Sequence, residues 1–171
     1  MKPGIVYEDR AGWPWWVHVL LGAVFLASAW PMVVWVLGTL GNAGTSMPFP
    51  VAALALLLGA GIPGALYAFM GELRIRVKED AIDLRWGILE VIGKSIPFRI
   101  IRGAEAVTYS PLGEFGGWGI RVGGGKKRAW TVRGNRALLL HLEDGTRFYL
   151  GSARPERILQ WVHAGLKGRE E

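Results

Sequence analysis

The chain falls into two parts with different patterns of hydrophobic and polar positions. No Asp, Glu, Lys or Arg occurs from Ala11 to Gly71, and this stretch contains two apolar runs, residues 13–37 and 51–70. A helix across a bilayer core about 30 Å thick needs about 20 apolar residues, so each run is long enough to span a membrane. Residues 38–46 between them are rich in Gly, Asn, Thr and Ser, which is typical of a turn. The pattern predicts an N-terminal region, residues 1–71, that contains a transmembrane helical hairpin.

Two features inside the apolar runs predict how the helices pack. Pro31 and Pro63 each remove a backbone hydrogen bond from a helix and favour a kink. Ala60, Gly64 and Ala68 recur at every fourth residue, and such a stripe of small residues lets two helices approach closely. The partner of this stripe is either the first helix of the same chain or a second copy of the chain.

After Gly71 the pattern changes to a period of two, which is typical of half-buried strands. Apolar and polar residues alternate in residues 72–78 and again in residues 81–86. With Glu79 and Asp80 as a two-residue turn, the apolar faces of these two strands coincide. The expected opposing pairs are Val77 with Ile82, Ile75 with Leu84, Leu73 with Trp86, Arg76 with Asp83 and Arg74 with Arg85.

The rest of the chain predicts more strands and a final helix, all within a second domain of residues 72–171. Further short strands are expected at residues 89–97, 104–110, 118–122, 127–132, 137–142 and 146–150, which makes about eight in an all-β antiparallel barrel or sandwich. A helix follows from Pro155, and its apolar stripe of Ile158, Trp161, Val162 and Leu166 predicts that it caps the sheet. We expect one core that contains Ile75, Leu84, Trp86, Leu138, Leu140, Trp161 and Val162.

The order of these elements resembles a known family. The stretches that carry the resemblance are Gly117-Trp-Gly-Ile-Arg121, Ala129-Trp-Thr-Val-Arg-Gly134, residues 137–142, Asp144-Gly145 and Gly151-Ser-Ala-Arg-Pro-Glu156. Together with the two preceding spans they resemble the bacterial pleckstrin-homology-like (PH-like) membrane proteins, over about residues 72–166. The resemblance implies a PH-like barrel with a C-terminal capping helix, and such folds host lipid, peptide and protein binding alike. In phosphoinositide-binding eukaryotic relatives the loop after the first strand is basic, whereas here it is Lys78-Glu-Asp80, so that headgroup chemistry is not carried over.

The Lys and Arg residues near the ends of the apolar runs predict the orientation in the membrane. The connection between the runs has none, whereas Lys2 and Arg10 precede the first run and Arg74 and Arg76 follow the second. Both termini are therefore expected on the cytoplasmic side of the inner membrane. Residues 27–29, Ala-Ser-Ala, resemble a signal-peptidase site, but apolar sequence continues beyond them and acidic residues precede the run.

Few residues suggest catalytic or metal chemistry. The chain has no Cys, which excludes disulfides, thiolate metal sites and cysteine nucleophiles. His18, His141 and His163 are scattered along the sequence, and no phosphate-binding loop or nucleophile–base pair is apparent. His18 could belong to a proton path, but its place about one turn after three tryptophans favours a neutral residue near the headgroups. We predict no catalytic residue, no metal site, no cofactor and no enzymatic activity.

Basic residues are the one feature that points to binding. The net charge is +6, and the excess of Lys and Arg lies in the second domain, because residues 1–10 contain two basic and two acidic residues. The candidate binding residues lie within sixteen residues that contain no acid: Arg121, Lys126, Lys127, Arg128, Arg133 and Arg136. They could dock on an anionic membrane surface or form a solvated rim. Nucleic acid is a weaker candidate because no recognition motif is present.

These observations predict a membrane-anchored, non-enzymatic binding or scaffold protein. Its basic PH-like domain would sit at the cytoplasmic face of the inner membrane and bind lipid headgroups or another protein. The expected partners are the bilayer, anionic lipid headgroups, and a membrane protein or a second copy of the chain. The alternative is a structural subunit or assembly factor of a larger membrane complex.

Overall fold

The structure is a computed structural model that describes residues 4–40 and 48–167. The chain divides into two compact units, one of Pro14–Ala68 and one that combines Met1–Trp13 with Phe69–Glu171. The predicted turn at residues 38–46 lies largely outside the described residues.

The unit of Pro14–Ala68 is helical, as the apolar runs predict. Helix α1 covers Trp15–Leu40, and helix α2, Phe49–Leu56, continues through a π-helical turn at Leu57–Gly61 into helix α3, Ile62–Met70. Two stretches, Trp15–Gly38 and Phe49–Phe69, are long and apolar enough to cross a membrane by length and composition.

The two helical segments come close together at Gly59. A Cβ atom built on Gly59 would lie 2.1 Å from the Cβ of Ser28, so only glycine allows this approach. A Cβ on Gly64 would meet nothing within 4 Å, so the contact lies at Gly59 and not at the predicted Gly64 position. Pro63 has no N–H, and its ring would crowd the carbonyl of Gly59 in a regular α-helix. The wide π turn just before it gives that carbonyl more room.

The other unit begins with a four-stranded antiparallel sheet. Its strands are β1 (Ile5–Gly12), β2 (Glu72–Lys78), β3 (Ala81–Trp86) and β4 (Ile92–Pro97), in the order β1-β2-β3-β4. All five predicted β2–β3 pairs are confirmed, from Val77 opposite Ile82 to Leu73 opposite Trp86. Strand β4 starts three residues later than predicted, because residues 87–91 form the connection from β3.

Strand β1 was not predicted, and its pairing gives a domain organisation different from the expected division at residue 71. It pairs with β2, so that Gly12 lies opposite Glu72, and the N–H of Trp13 donates to the carbonyl of Gly71 at 3.3 Å. The chain between these paired residues contains both apolar helices. The helical pair is therefore an insertion into a β-hairpin, and the first residues of the chain belong to the β unit.

The second sheet has five strands and is not purely antiparallel. Its strands are β5 (Ile101–Thr108), β6 (Gly119–Gly123), β7 (Lys127–Thr131), β8 (Arg136–Leu142) and β9 (Arg147–Gly151), in the order β5-β8-β9-β7-β6. Strands β7 and β9 run parallel, and the other neighbours are antiparallel. In the described part of the chain the nine strands form two separate sheets and no closed barrel, so of the two predicted alternatives the sandwich is the better description.

The main core contains apolar side chains of both sheets and of the last helix, α5 (Pro155–Lys167). Six of the seven predicted core residues lie in it, but Trp161 does not, because its side chain is 42% exposed. Trp161 precedes Val162 by one residue, about 100° around the helix. Its ring stacks on Tyr7 with centroids 6.2 Å apart, at the rim of the core.

A smaller core lies on the other face of the five-stranded sheet. A short helix, α4 (Pro111–Phe115), places the ring of Phe115 against Tyr109 and Tyr149. The hydroxyl of Ser110 caps this helix by accepting a hydrogen bond from the N–H of Gly113 at 3.2 Å. This covers a face of the sheet that would otherwise expose aromatic rings.

Candidate anion-binding site

The structure does not bring the six predicted binding residues together on one surface. Strand β7 separates them: Lys126, Lys127 and Arg128 lie at its start, and Arg133 and Arg136 lie beyond its end. Five strand residues span about 16 Å, so the two groups lie at opposite ends of the five-stranded sheet. Arg121 lies on β6, where its guanidinium Nε donates to the carbonyl of Trp118 at 3.1 Å.

The group at the start of β7 is largely held by neighbouring groups of the same unit. The Lys126 ammonium donates to the carbonyl of Asp144 at 2.8 Å, and Lys127 forms an ion pair with Glu114. The hydrogen bond from Lys127 lowers the pKa of the Glu114 carboxyl below its usual value. Lys126 itself has a positive φ of 60°, so it forms part of a tight turn.

Arg133 and Arg136, at the other end, meet a third arginine from the opposite sheet. They line a pocket of about 270 Å³ together with Arg10 of β1, and these three arginines are its charged lining residues. Gly134 and Ser152 also contribute to its wall. We call this feature, defined by Arg10, Arg133 and Arg136, the arginine pocket.

The turn that carries Arg133 is held by hydrogen bonds from both sides. Gly134 has a φ of 73°, a conformation that L side chains rarely adopt, and its carbonyl accepts a hydrogen bond from the Trp118 indole at 2.8 Å. The next carbonyl, that of Asn135, accepts from the N–H of Tyr109 at 2.8 Å. The turn therefore presents Arg133 from a fixed backbone.

A buried hydrogen bond holds β1 against Ser152, the residue that follows β9. Asp9 is almost fully buried, and its carboxylate accepts a hydrogen bond from the Ser152 hydroxyl at 2.6 Å. The same hydroxyl accepts from the N–H of Arg154 at 3.0 Å, and the Arg154 guanidinium lies 3.8 Å from Asp9. Because Asp9 directly precedes Arg10, this bond between the sheets fixes the place of Arg10 beside the second sheet.

The guanidinium groups of the three arginines have only weak ion-pair partners within the protein. The Nε of Arg10 donates to Glu8 at 2.7 Å, and Arg136 pairs with Glu156, but both pairs are substantially exposed. Exposed ion pairs contribute about 0–1 kcal/mol, so an anionic ligand can compete with them. Among the described residues no acidic side chain pairs with Arg133. Three guanidinium groups around one concave pocket suit a phosphate, which arginine binds through two parallel hydrogen bonds.

The arginine pocket is tied closely along the chain to the first apolar helix. Arg10 lies five residues before Trp15, where α1 begins. Five residues of chain span at most about 18 Å. An arginine of the pocket therefore stays within this distance of the start of the helix, whatever path the connection takes.

Arg10 is the residue of the candidate site that the sequence analysis did not include. The alternation of Tyr7, Asp9 and Ala11 with Glu8 and Arg10 could have indicated β1, but its partner β2 lies about sixty residues away.

The histidines occupy separate places in the structure. Nε2 of His141 lies 2.8 Å from a carboxylate oxygen of Glu105, and Nδ1 of His18 lies 3.1 Å from the carbonyl of Pro14. Within residues 4–40 and 48–167 no three His, Asp or Glu side chains gather as they would around a metal ion.

No protein-family model matches this sequence, and the search of curated proteins finds no match. The resemblance to the PH-like membrane proteins therefore rests on the Gly- and Trp-containing stretches and stays a prediction.

Proposed function

We propose that this protein is a membrane-anchored, non-enzymatic binding protein whose β unit binds anionic lipid headgroups at the cytoplasmic face of the inner membrane. The observation that carries the proposal is the arginine pocket, whose Arg10 lies five residues before an apolar helix long enough to span a bilayer. A phosphate at headgroup depth is the anion that a site so tethered would meet.

The pairing of β1 with β2 supports the membrane topology of this proposal. Gly12 and Glu72 are opposite each other in a ladder, so the chain enters and leaves the helical pair at nearly the same point, about 5 Å apart. Two spanning helices with ends held together in this way must start and finish on the same side of a bilayer. Lys and Arg residues flank that point, and they favour the cytoplasmic side.

The expected affinity follows from the charges and their surroundings. A Lys or Arg held near an anionic leaflet contributes about 1 kcal/mol, which gives about 3 kcal/mol for three arginines. Two of the three give up exposed ion pairs on binding, so the net contribution falls to about 2 kcal/mol. Because 1.4 kcal/mol corresponds to a factor of ten, loss of the pocket should weaken headgroup binding at least tenfold.

The test compares two triple variants of the full-length protein in nanodiscs of phosphatidylglycerol and phosphatidylcholine. The first changes Arg10, Arg133 and Arg136 to Gln. The matched control changes Lys126, Lys127 and Arg128 to Gln, which removes the same charge at the opposite end of the five-stranded sheet. Native mass spectrometry counts the phosphatidylglycerol molecules retained on each protein after release from the nanodisc.

We expect the parent and the control variant to retain phosphatidylglycerol, and the arginine-pocket variant to lose it. Equal retention by all three proteins would contradict the proposal. Loss of phosphatidylglycerol only in the control variant would place the headgroup-binding site at the start of β7 and contradict the proposal. A stoichiometric protein partner in place of retained lipid would favour the role of a subunit in a larger membrane complex.

A further inference from the structure

The connection between β3 and β4 exposes an unusual amount of apolar surface. Its residues are Gly87, Ile88, Leu89, Glu90 and Val91. The side chains of Leu89 and Val91 are 72% and 71% exposed, and Ile88 is also exposed. A loop that is exposed to water normally has polar residues at such positions, so this apolar tip is a candidate interaction surface.

Hydrogen bonds give the loop a defined shape. The N–H of Glu90 donates to the carbonyl of Gly87 at 3.2 Å, which closes a turn. Glu90 has a φ of 52°, a backbone conformation that is uncommon for residues other than glycine. This conformation turns the Glu90 side chain back onto the sheet, while Leu89 and Val91 on either side of it point to solvent.

The one charged residue of the loop is neutralised by the sheet. The Glu90 carboxylate accepts two hydrogen bonds from the Arg76 guanidinium, at 2.7 and 3.0 Å, and a further one from Arg74. The outer tip of the loop is consequently apolar, with its charge held behind it. Such an arrangement lowers the cost of placing the tip in a medium of low polarity.

The loop is fixed at the end of the sheet from which the helical pair departs. The N–H of Gly87 donates to the carbonyl of Glu72 at 2.8 Å, and Glu72 is paired with Gly12. Glu72 follows Met70, the last residue of α3, by two residues, which is at most about 7 Å of chain. The headgroup layer on each side of a bilayer is about 5–8 Å thick. A loop bonded to Glu72 is therefore within reach of the surface that a spanning α3 would leave.

We propose that Leu89 and Val91 form a wedge that inserts into the boundary between headgroups and acyl chains of the bilayer that holds the two helices. This inference rests on the proposed membrane anchorage and adds a second contact to it. The wedge and the arginine pocket lie at the same end of the β unit, because Arg10 and Gly12 both belong to the last residues of β1. The two contacts would restrict rotation of the β unit about its tether, as neither could do alone.

The test uses the full-length protein in liposomes, with one spin label at a time. The chain has no Cys, so each introduced Cys is the only labelling site. The variants are Leu89→Cys in the loop, Leu26→Cys in α1, and Val122→Cys as the matched control. Val122 is an exposed aliphatic residue of the same unit, 79% exposed, near the opposite end of the five-stranded sheet. Power saturation with oxygen, which enters lipid, and with a water-soluble nickel chelate reports the depth of each label.

We expect the labels at Leu89 and Leu26 to be reached by oxygen and protected from the nickel chelate, with severalfold lower chelate access than at Val122. Chelate access at Leu89 equal to that at Val122, with Leu26 protected, would overturn the wedge while membrane anchorage stands. Chelate access at Leu26 as well would overturn the anchorage itself. Protection of Leu89 from both reagents would identify a protein and not lipid as the cover, and would also contradict the wedge. Val91→Cys, measured in the same way, guards against an effect of the label at one position.

Discussion

The ion pairs behind the apolar loop allow a quantitative prediction for Glu90→Gln. The substitution keeps the size of the side chain and removes the charge that faces Arg74 and Arg76. The Arg76 side chain is only 10% exposed and Glu90 is 25% exposed, so this is among the better shielded ion pairs of the β unit. Its loss leaves the Arg76 guanidinium with Glu8 as its remaining acidic partner.

The magnitude follows from the titration of Glu90. The hydrogen bonds from Arg76, and then the positive charges of Arg76 and Arg74, hold the pKa of Glu90 at about 2, although burial opposes this shift. One pKa unit corresponds to 1.36 kcal/mol, so the drop from the usual 4.5 gives at most about 3 kcal/mol. Because Glu90 remains in partial contact with solvent, screening reduces this to about 2 kcal/mol.

The sign of the pH dependence is fixed by the direction of the shift. A carboxyl with a lowered pKa in the folded state stabilises the protein fully above pH 4.5 and progressively less as the pH falls towards 2. Glu90→Gln should therefore be about 2 kcal/mol less stable than the parent at pH 7, the difference should fall to well under half of this at pH 2.5, and it should vanish only below about pH 2. The control, Glu105→Gln, removes a well-exposed partner of His141 and should change stability by less than about 0.5 kcal/mol at either pH.

Urea unfolding of the full-length protein in non-ionic detergent measures this difference. The signal is near-ultraviolet circular dichroism, to which the buried Trp86 and Trp130 contribute, since their rings meet edge-on with centroids 6.2 Å apart in the main core. A difference between Glu90→Gln and the parent that stays constant from pH 7 to pH 2.5 would refute the electrostatic reasoning. It would mean that the substitution acts through the shape of the loop.

Two further predictions concern topology and domain boundaries. An impermeant thiol reagent added from outside should label a Cys that replaces Asn42, which lies outside the described residues, and should not label a Cys that replaces Lys127. Labelling of the Cys at Lys127 from outside would show that the orientation is the opposite of the predicted one. A fragment that starts at Glu72 lacks β1, which leaves β2 as an unpaired edge and removes Asp9 from Ser152, so it should aggregate or give poorly dispersed NMR spectra. A soluble fragment with well-dispersed spectra would show that β1 is dispensable for the fold.

Local patterns predicted the parts of the fold that depend on neighbouring residues. The β2–β3 register follows from strict alternation on both sides of a two-residue turn, Glu79–Asp80, and every predicted pair is present. The final helix was also predictable, because Ile158 and Val162 repeat at helical spacing and are both fully buried. Trp161 was misplaced because hydrophobicity alone does not distinguish the centre of a helical stripe from its edge.

Contacts between distant residues could not be predicted in the same way. The β1–β2 pairing spans the whole helical pair, and the parallel pairing of β7 with β9 follows from no local turn. The separation of the six predicted binding residues has a related reason. Residues 121–136 are close together in sequence, but an extended strand carries the charges at its two ends far apart. Arg10 reaches Arg133 only because the two sheets meet at this point.

The insertion of the helical pair into a β-hairpin has a consequence for biosynthesis. Strand β1 leaves the ribosome before both apolar helices, and its partner β2 follows about sixty residues later. At about 5–20 residues per second, β1 stays unpaired for roughly 3–12 s. During that interval both apolar helices emerge, so the four-stranded sheet cannot be completed until both helices have been made. A chain whose synthesis stops before β2 would therefore keep β1 as an unpaired strand edge, which chaperones and proteases can recognise.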